Sequence, residues 1–244
     1  MDFKTALLLI LMGLSPSLFW LLFYLKKDLR PEPKYLVSKT FAMGIIVAPL
    51  AVIAQWSVRS TALYFNSAYD ASSSVVFFTL AALIEEVVKF LAVRFVVLRD
   101  SEFDEPLDAM VYMVVAGLGF AAIENLLILF QTIPSGIDST IQILLLRFAG
   151  ATLLHAVSSA AVGYFLALAW FYSHHCAKII TAGLGVGTVI HLVFNLILLG
   201  SKGKPEGFII STIFLFISAF MISSLFRKLK KREVADLIRA GVHN

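Results

Sequence analysis

The 244-residue chain reads as an all-α bundle of membrane-spanning helices. Three observations predict this. Hydrophobic residues make up 59% of the sequence and charged residues 15%, where a soluble domain would be roughly half apolar. Apolar stretches of the ~20 residues needed to cross a bilayer recur along the whole length. Turn-forming segments separate them: "RPEP", "TIPSGIDS" and "SKGKPEG". The chain is expected to be one membrane-embedded domain over 1–244, with no separate soluble domain.

Seven spans follow in order: 5–25, 36–58, 74–98, 107–130, 140–172, 178–199 and 207–226. The first lacks a basic leader and a small-residue cleavage site, so it reads as a retained helix rather than a signal peptide. The fifth is longer than a crossing needs, so it is tilted, kinked or broken, and a break would make eight helices. Basic residues set the orientation. With the N-terminus outside, thirteen Lys and Arg fall in cytoplasmic segments and four outside, namely Lys4, Arg59, Lys202 and Lys204. Lys89, Arg94 and Arg147 lie within spans. The expected orientation is N-terminus out and C-terminus in. Basic residues behind the net charge of +4 gather in the flanks "KKDLRPEPK" and "RKLKKR", which read as anchors to the bilayer surface and call for no nucleic-acid partner. The tail "RKLKKREVADLIRA" reads either as an amphipathic helix on anionic lipid or as plain anchoring. The lone Cys176 cannot form an intrachain disulfide.

Ionisable groups inside such spans are expensive and mark function. In "LIEEVVKF" of the third span, Glu85 and Glu86 stand about 100° apart around the helix, so both can face one cavity. Lys89 is four residues after Glu85, placed for an ion pair that would balance that carboxylate and leave Glu86 over. The fourth span opens with "FDEPLDAMVY", where Pro106 suits a first turn and Asp104, Glu105 and Asp108 suit a helix N-terminus. In "GLGFAAIEN" further along, Phe120 and Glu124 share a face, with Asn125 adjacent. Capping cannot account for Glu124, which lies several turns in. The fifth span holds Arg147, either a counter-ion for a glutamate or a snorkelling residue, and His155 with Ser158 and Ser159 beside it. In the sixth, "GLGVGTVIHLVFNLILL", His191 and Asn195 share a face, and Gly183, Gly185 and Gly187 permit close packing. His174 and His175 fall in a short loop and read as solvated.

Three carboxylates and two imidazoles in hydrocarbon make sense around one wet cavity. Hydrolysis fits: a glutamate takes a proton from water while His or Asn steadies the oxyanion. A metal-free site is the favoured form, and a divalent metal such as zinc, held by candidates Glu86, Glu124, His155 and His191, is the alternative. The absence of an HExxH motif weighs against the metal. Proton-coupled transport uses the same groups as a relay, but predicts a polar path that the first, second and seventh spans lack. A non-catalytic scaffold is the third reading.

"EEVVKF", "FDEPLDAMVY", "GLGFAAIEN", the Arg147–His155 segment and "HLVFN", in this order over residues 80–200, resemble the PrsW family of intramembrane proteases. That family is related to the CAAX-processing and bacteriocin-processing (CPBP, or Abi) membrane endopeptidases. The resemblance implies Glu85 and Glu86 as the catalytic pair, with Glu86 the expected base. It implies Glu124, His155, His191 and Asn195 as the remaining site residues; Lys89 and Arg147 are expected to balance charge. It also implies a membrane-anchored protein substrate, an anti-sigma factor in the family's best-known role, and a bacterial cell membrane. Two departures stand out: Ala109 occupies a position where the family often has glycine, and the external loops are short. The site is expected from mid-membrane to the outer leaflet, suiting cleavage near the external face.

Overall fold

The computed structural model describes residues 2–26, 31–202 and 204–239; the side chains of Ser173 and residues 233–239 lie outside that description. Part of the first basic flank, 27–30, and the side chains of most of the predicted amphipathic tail therefore fall outside the description, though the tail's backbone is helical as far as Arg239.

Eight α-helices account for the fold of the described residues. They are α1 Phe3–Leu25, α2 Lys34–Phe65, α3 Val75–Val96, α4 Asp108–Thr132, α5 Ile137–Ala149, α6 Ala151–Phe171, α7 Cys176–Ser201 and α8 Pro205–Arg239. Six segments are long and apolar enough to cross a membrane: α1, α2, α4, α5 and α6 taken together, α7 and α8. At 22 residues α3 rises about 33 Å, enough to cross, but it carries Glu85, Glu86, Lys89 and Arg94 along the way. The chain is an integral membrane protein.

The fifth span is two helices. α5 ends at Ala149, α6 starts at Ala151, and Gly150 between them takes φ −105° and ψ −93°. Pro106 also differs from expectation: α4 begins at Asp108, two residues later. Its start is held by the Asp108 carboxylate, which accepts from the backbone N–H groups of Asp104 (3.1 Å) and Glu105 (2.9 Å). Both donors precede the helix, and the N-cap residue Leu107 makes no side-chain cap, so Asp108 fastens the turn that leads into α4. His174 and His175 are exposed, as expected.

α4 is apolar all round and is accordingly the buried centre, packed by α1, α2, α3 and α6. Its crossing with α2 is close because Gly44 and Gly119 face each other's helices. A Cβ on Gly119 would collide with the Phe41 carbonyl, and one on Gly44 with that of Ala116. The crossing with α6 works similarly, with Gly163 against Met110 and the Ala109 carbonyl, so alanine at 109 is tolerated. The outer helices α1, α2 and α8 leave stripes such as Leu11, Leu18 and Leu22, or Ile209, Ile213, Phe216 and Phe220, exposed, as lipid-facing surfaces require.

Successive crossings alternate in direction. One end of the bundle gathers the end of α3, the starts of α2 and α4 and the ends of α6 and α8. The Tyr35 hydroxyl donates to Asp100 Oδ1 there (3.2 Å), Phe103 meets Trp170 edge-on (5.2 Å), and the Arg232 guanidinium lies 4.1 Å from the Phe171 ring centroid.

Candidate functional site

Midway along the bundle, α3, α4, α6 and α7 converge on a cluster of ionisable side chains, with α2 and α5 contributing from the sides. Glu86 and Lys89 on α3 are fully buried. Glu86 Oε1 accepts from Lys89 Nζ (2.7 Å) and Ser158 Oγ (2.9 Å), and lies 3.1 Å from His191 Nδ1. Lys89 thus pairs with Glu86, not with Glu85 as the four-residue spacing predicts. Its ammonium also donates to His155 Nδ1 (3.0 Å), and the carboxylate left without a Lys or Arg partner among the described residues is Glu85.

Glu124 is the anchor of the second pair. Its Oε2 accepts from Arg147 (2.8 Å) and lies 2.7 Å from His155 Nε2. Arg147 therefore balances charge and does not snorkel. Its Nε donates to Asn125 Oδ1 (2.7 Å), and the Asn125 amide donates to Thr152 Oγ1 (3.0 Å). The break at Gly150 makes this possible, because Arg147 and His155 reach one carboxylate from two separate helices.

Each imidazole has one nitrogen on a carboxylate: His155 Nε2 on Glu124 and His191 Nδ1 on Glu86. Those nitrogens carry the protons, so the opposite nitrogens present lone pairs. His155 Nδ1 accordingly accepts from Lys89. Glu85 Oε2 lies near both of these nitrogens, at 3.9 Å from His155 Nδ1 and 3.6 Å from His191 Nε2. That oxygen is buried and has no hydrogen-bond partner among the described residues. Glu85 Oε1 accepts from the Gln55 amide on α2 (2.9 Å).

Glu85, His155 and His191 offer three acceptor atoms within 4.8 Å of one another. Tetrahedral zinc with bonds of ~2.1 Å holds ligand atoms about 3.4 Å apart, within half an ångström of two of these separations. Two imidazoles and a carboxylate, each steadied by a hydrogen bond behind it, are a donor set that fits a divalent ion. The candidates Glu86 and Glu124 do not belong to this set, because each is spent on a cation and an imidazole; Glu85 takes their place.

Of the expected site residues, Glu85, Glu86, Glu124, His155 and His191 are brought together, with Lys89 and Arg147 among them. Asn195 is half-buried one turn beyond His191 and makes no hydrogen bond to another described residue. Gln55, Thr152 and the roles of Asn125 and Ser158 escaped sequence reasoning. A lone amide in the apolar second span was the available signal for Gln55. Phe120 lines the site, 5.4 Å from the His155 ring and 4.9 Å from the Lys89 ammonium. Gly187 lets α7 approach: a Cβ there would stand 2.6 Å from Val162 and 3.5 Å from Glu86 Oε2.

Residues 32–224 match the family described as PrsW family intramembrane metalloprotease. Among curated proteins, Protease PrsW of Oceanobacillus iheyensis is 31% identical over 222 residues, covering 91% of this chain and 94% of its own length. Protease PrsW of Geobacillus kaustophilus is 30% identical over 80% of this chain and 81% of its own. Protease PrsW of Bacillus subtilis is 27% identical over 76% and 80%. No solved structure matches. With that match spanning most of the chain and a buried carboxylate–imidazole cluster at its centre, the chain belongs to the PrsW family of intramembrane proteases and is a peptidase.

Proposed function

We propose that the chain cuts membrane-anchored proteins with a divalent metal held by Glu85, His155 and His191. The observation that supports this most is the unpartnered Glu85 oxygen within 4 Å of one nitrogen of each imidazole, a grouping of three acceptor atoms that suits a cation once Lys89 leaves His155. Zinc suits a site of two imidazoles and one carboxylate. Such an ion supplies Lewis-acid charge for the scissile carbonyl and lowers the pKa of water. The metal-free form favoured on the sequence thus gives way, in this proposal, to the metal-dependent one.

The chain's own residues divide the remaining work. Glu86, fully buried, orients His191; Glu124 orients His155; Gln55 orients Glu85. For His155 Nδ1 to serve as a ligand, Lys89 keeps Glu86 alone. Glu124 is the most exposed of the three carboxylates, at 36%, and both its protein partners are on Oε2. Its Oε1 has no protein partner among the described residues, and in this reading it takes a proton from the attacking water and returns it to the leaving amine. The base moves in this reading from Glu86 to Glu124. Asn195 has its amide free for the substrate carbonyl or the oxyanion that forms from it.

The proposal includes the orientation, N-terminus out and C-terminus in, supported by the bias of thirteen basic residues against four. Glu124 lies eight residues before the end of α4 and His191 ten before the end of α7, about 12 and 15 Å. The cut then falls from mid-membrane to the outer half. An anti-sigma factor is the substrate class the sequence resemblance implies.

Purified protein incubated with a library of single-pass helices and read by mass spectrometry tests this. Cleavage is expected in wild type, lost with chelator, restored by zinc and absent in Glu85→Gln. Cleavage that survives both chelator and Glu85→Gln would overturn the metal centre.

A further inference from the structure

A second cavity lies away from the catalytic cluster, toward the end of the bundle that holds the ends of α3, α6 and α8. Its volume is about 260 Å³. Leu21 and Tyr24 of α1, Val114 of α4, Val157 of α6, and Ala219 and Ile222 of α8 are among its walls. α1 and α8 pack against α4 and α6 respectively and flank the cavity. At its rim are Ser223 and Arg227. The Arg227 side chain is exposed, and its guanidinium donates to Ser224 Oγ (2.8 Å). Lys228, Lys230 and Lys231 follow on the same helix.

We propose that this cavity binds one anionic phospholipid, its phosphate on Arg227 and one acyl chain inside. Depth and lining suit an acyl chain. Ala219 to Arg227 is eight residues of α8, about 12 Å of depth, most of the ~15 Å of one leaflet's hydrocarbon, and the walls below the rim are almost entirely apolar. Charge selects the headgroup: the rim is basic, and no acidic residue lines the cavity. Basic clusters just outside the hydrocarbon are the sequence-readable mark of anionic-lipid recognition.

Native mass spectrometry of the full-length protein, stripped of lipid in detergent and titrated with phosphatidylglycerol or phosphatidylcholine of identical chains, tests the site. Wild type is expected to retain one phosphatidylglycerol per chain and to retain phosphatidylcholine about fivefold less. Arg227→Gln, a surface change that leaves the fold alone, should remove that preference. Ala219→Trp, which fills the cavity, should lose the bound lipid. Equal retention of the two lipids by wild type, or an unchanged preference in Arg227→Gln, would overturn the proposal. So would an undiminished phosphatidylglycerol adduct in Ala219→Trp.

Discussion

Three carboxylates share the site with two cations among the described residues, and the pairing decides what each carboxylate can do. Lys89 neutralises Glu86 and Arg147 neutralises Glu124, at 2.7 and 2.8 Å, so Glu85 is the one with no Lys or Arg partner among those residues. Removing one member of a buried ion pair costs about 3–5 kcal/mol, because the other charge stays buried. Glu86→Gln is therefore expected to destabilise the protein by about 3 kcal/mol, whereas Glu85→Gln leaves stability near wild type and abolishes metal retention. Chemical unfolding in micelles, together with metal content by mass spectrometry, checks both; a larger stability loss in Glu85→Gln would reverse the assignment. Gln55→Leu removes the only donor to Glu85 among the described side chains. Loss of such a supporting hydrogen bond weakens metal binding by about 10- to 100-fold, measurable by competition with a chromophoric chelator. Much of this residue-level site was legible beforehand, because ionisable side chains in apolar spans advertise themselves. The pairing was not. Glu85 and Glu86 both lie within one turn of Lys89, and helical spacing alone cannot choose between three and four residues.

At the scale of the element, the decisive feature is the interruption at Gly150. It frees α5 from the direction of α6 and brings Arg147 over Glu124 and Asn125. α5 is otherwise lightly held: of its thirteen residues only Thr140 is fully buried, and Trp20 Nε1 donates to the Phe148 carbonyl (3.0 Å). Inserting one alanine after Gly150 would shift α5 relative to α6 and carry Arg147 off its carboxylate. The expected result is loss of cleavage with helical content and melting temperature nearly unchanged, read by circular dichroism beside the cleavage assay. Retained cleavage would mean that Arg147 is dispensable. Gly117 belongs to the same scale. A Cβ there would stand 2.4 Å from Ser159 Oγ and 2.8 Å from the His155 carbonyl, so Gly117→Val should push α6 away from α4. Lower thermal stability and lower kcat together are the expected outcome. The sequence flagged the excess length of the fifth span but could not locate its break, since a single glycine within an apolar run is equally compatible with a continuous helix.

For the whole molecule, the alternation of crossings places Lys34, at the start of α2, and the basic stretch 227–232 of α8 at one end. Cys176, the only cysteine, lies at that end, at the start of α7. A membrane-impermeant maleimide is expected to label it in inside-out vesicles and not in intact cells. A Cys176→Ser protein carrying Ser67→Cys, in the exposed loop between α2 and α3, should label the opposite way. Inverted labelling would place the N-terminus inside and move the proposed cleavage to the inner half of the bilayer. Membership of a protease family also removes transport as the main reading, in keeping with polar groups gathered at one depth instead of strung across the bundle.

Sequence alone determined the class, the approximate spans and the candidate residues, because the bilayer imposes one-dimensional rules: ~20 apolar residues per crossing and a penalty on every buried charge. Tertiary structure alone decided which carboxylate is left without a counter-ion. Three acceptor atoms from α3, α6 and α7, between them 106 residues apart in the chain from Glu85 to His191, converge only when those helices pack. Helical periodicity reports direction within one helix and carries no information about which neighbour that direction meets.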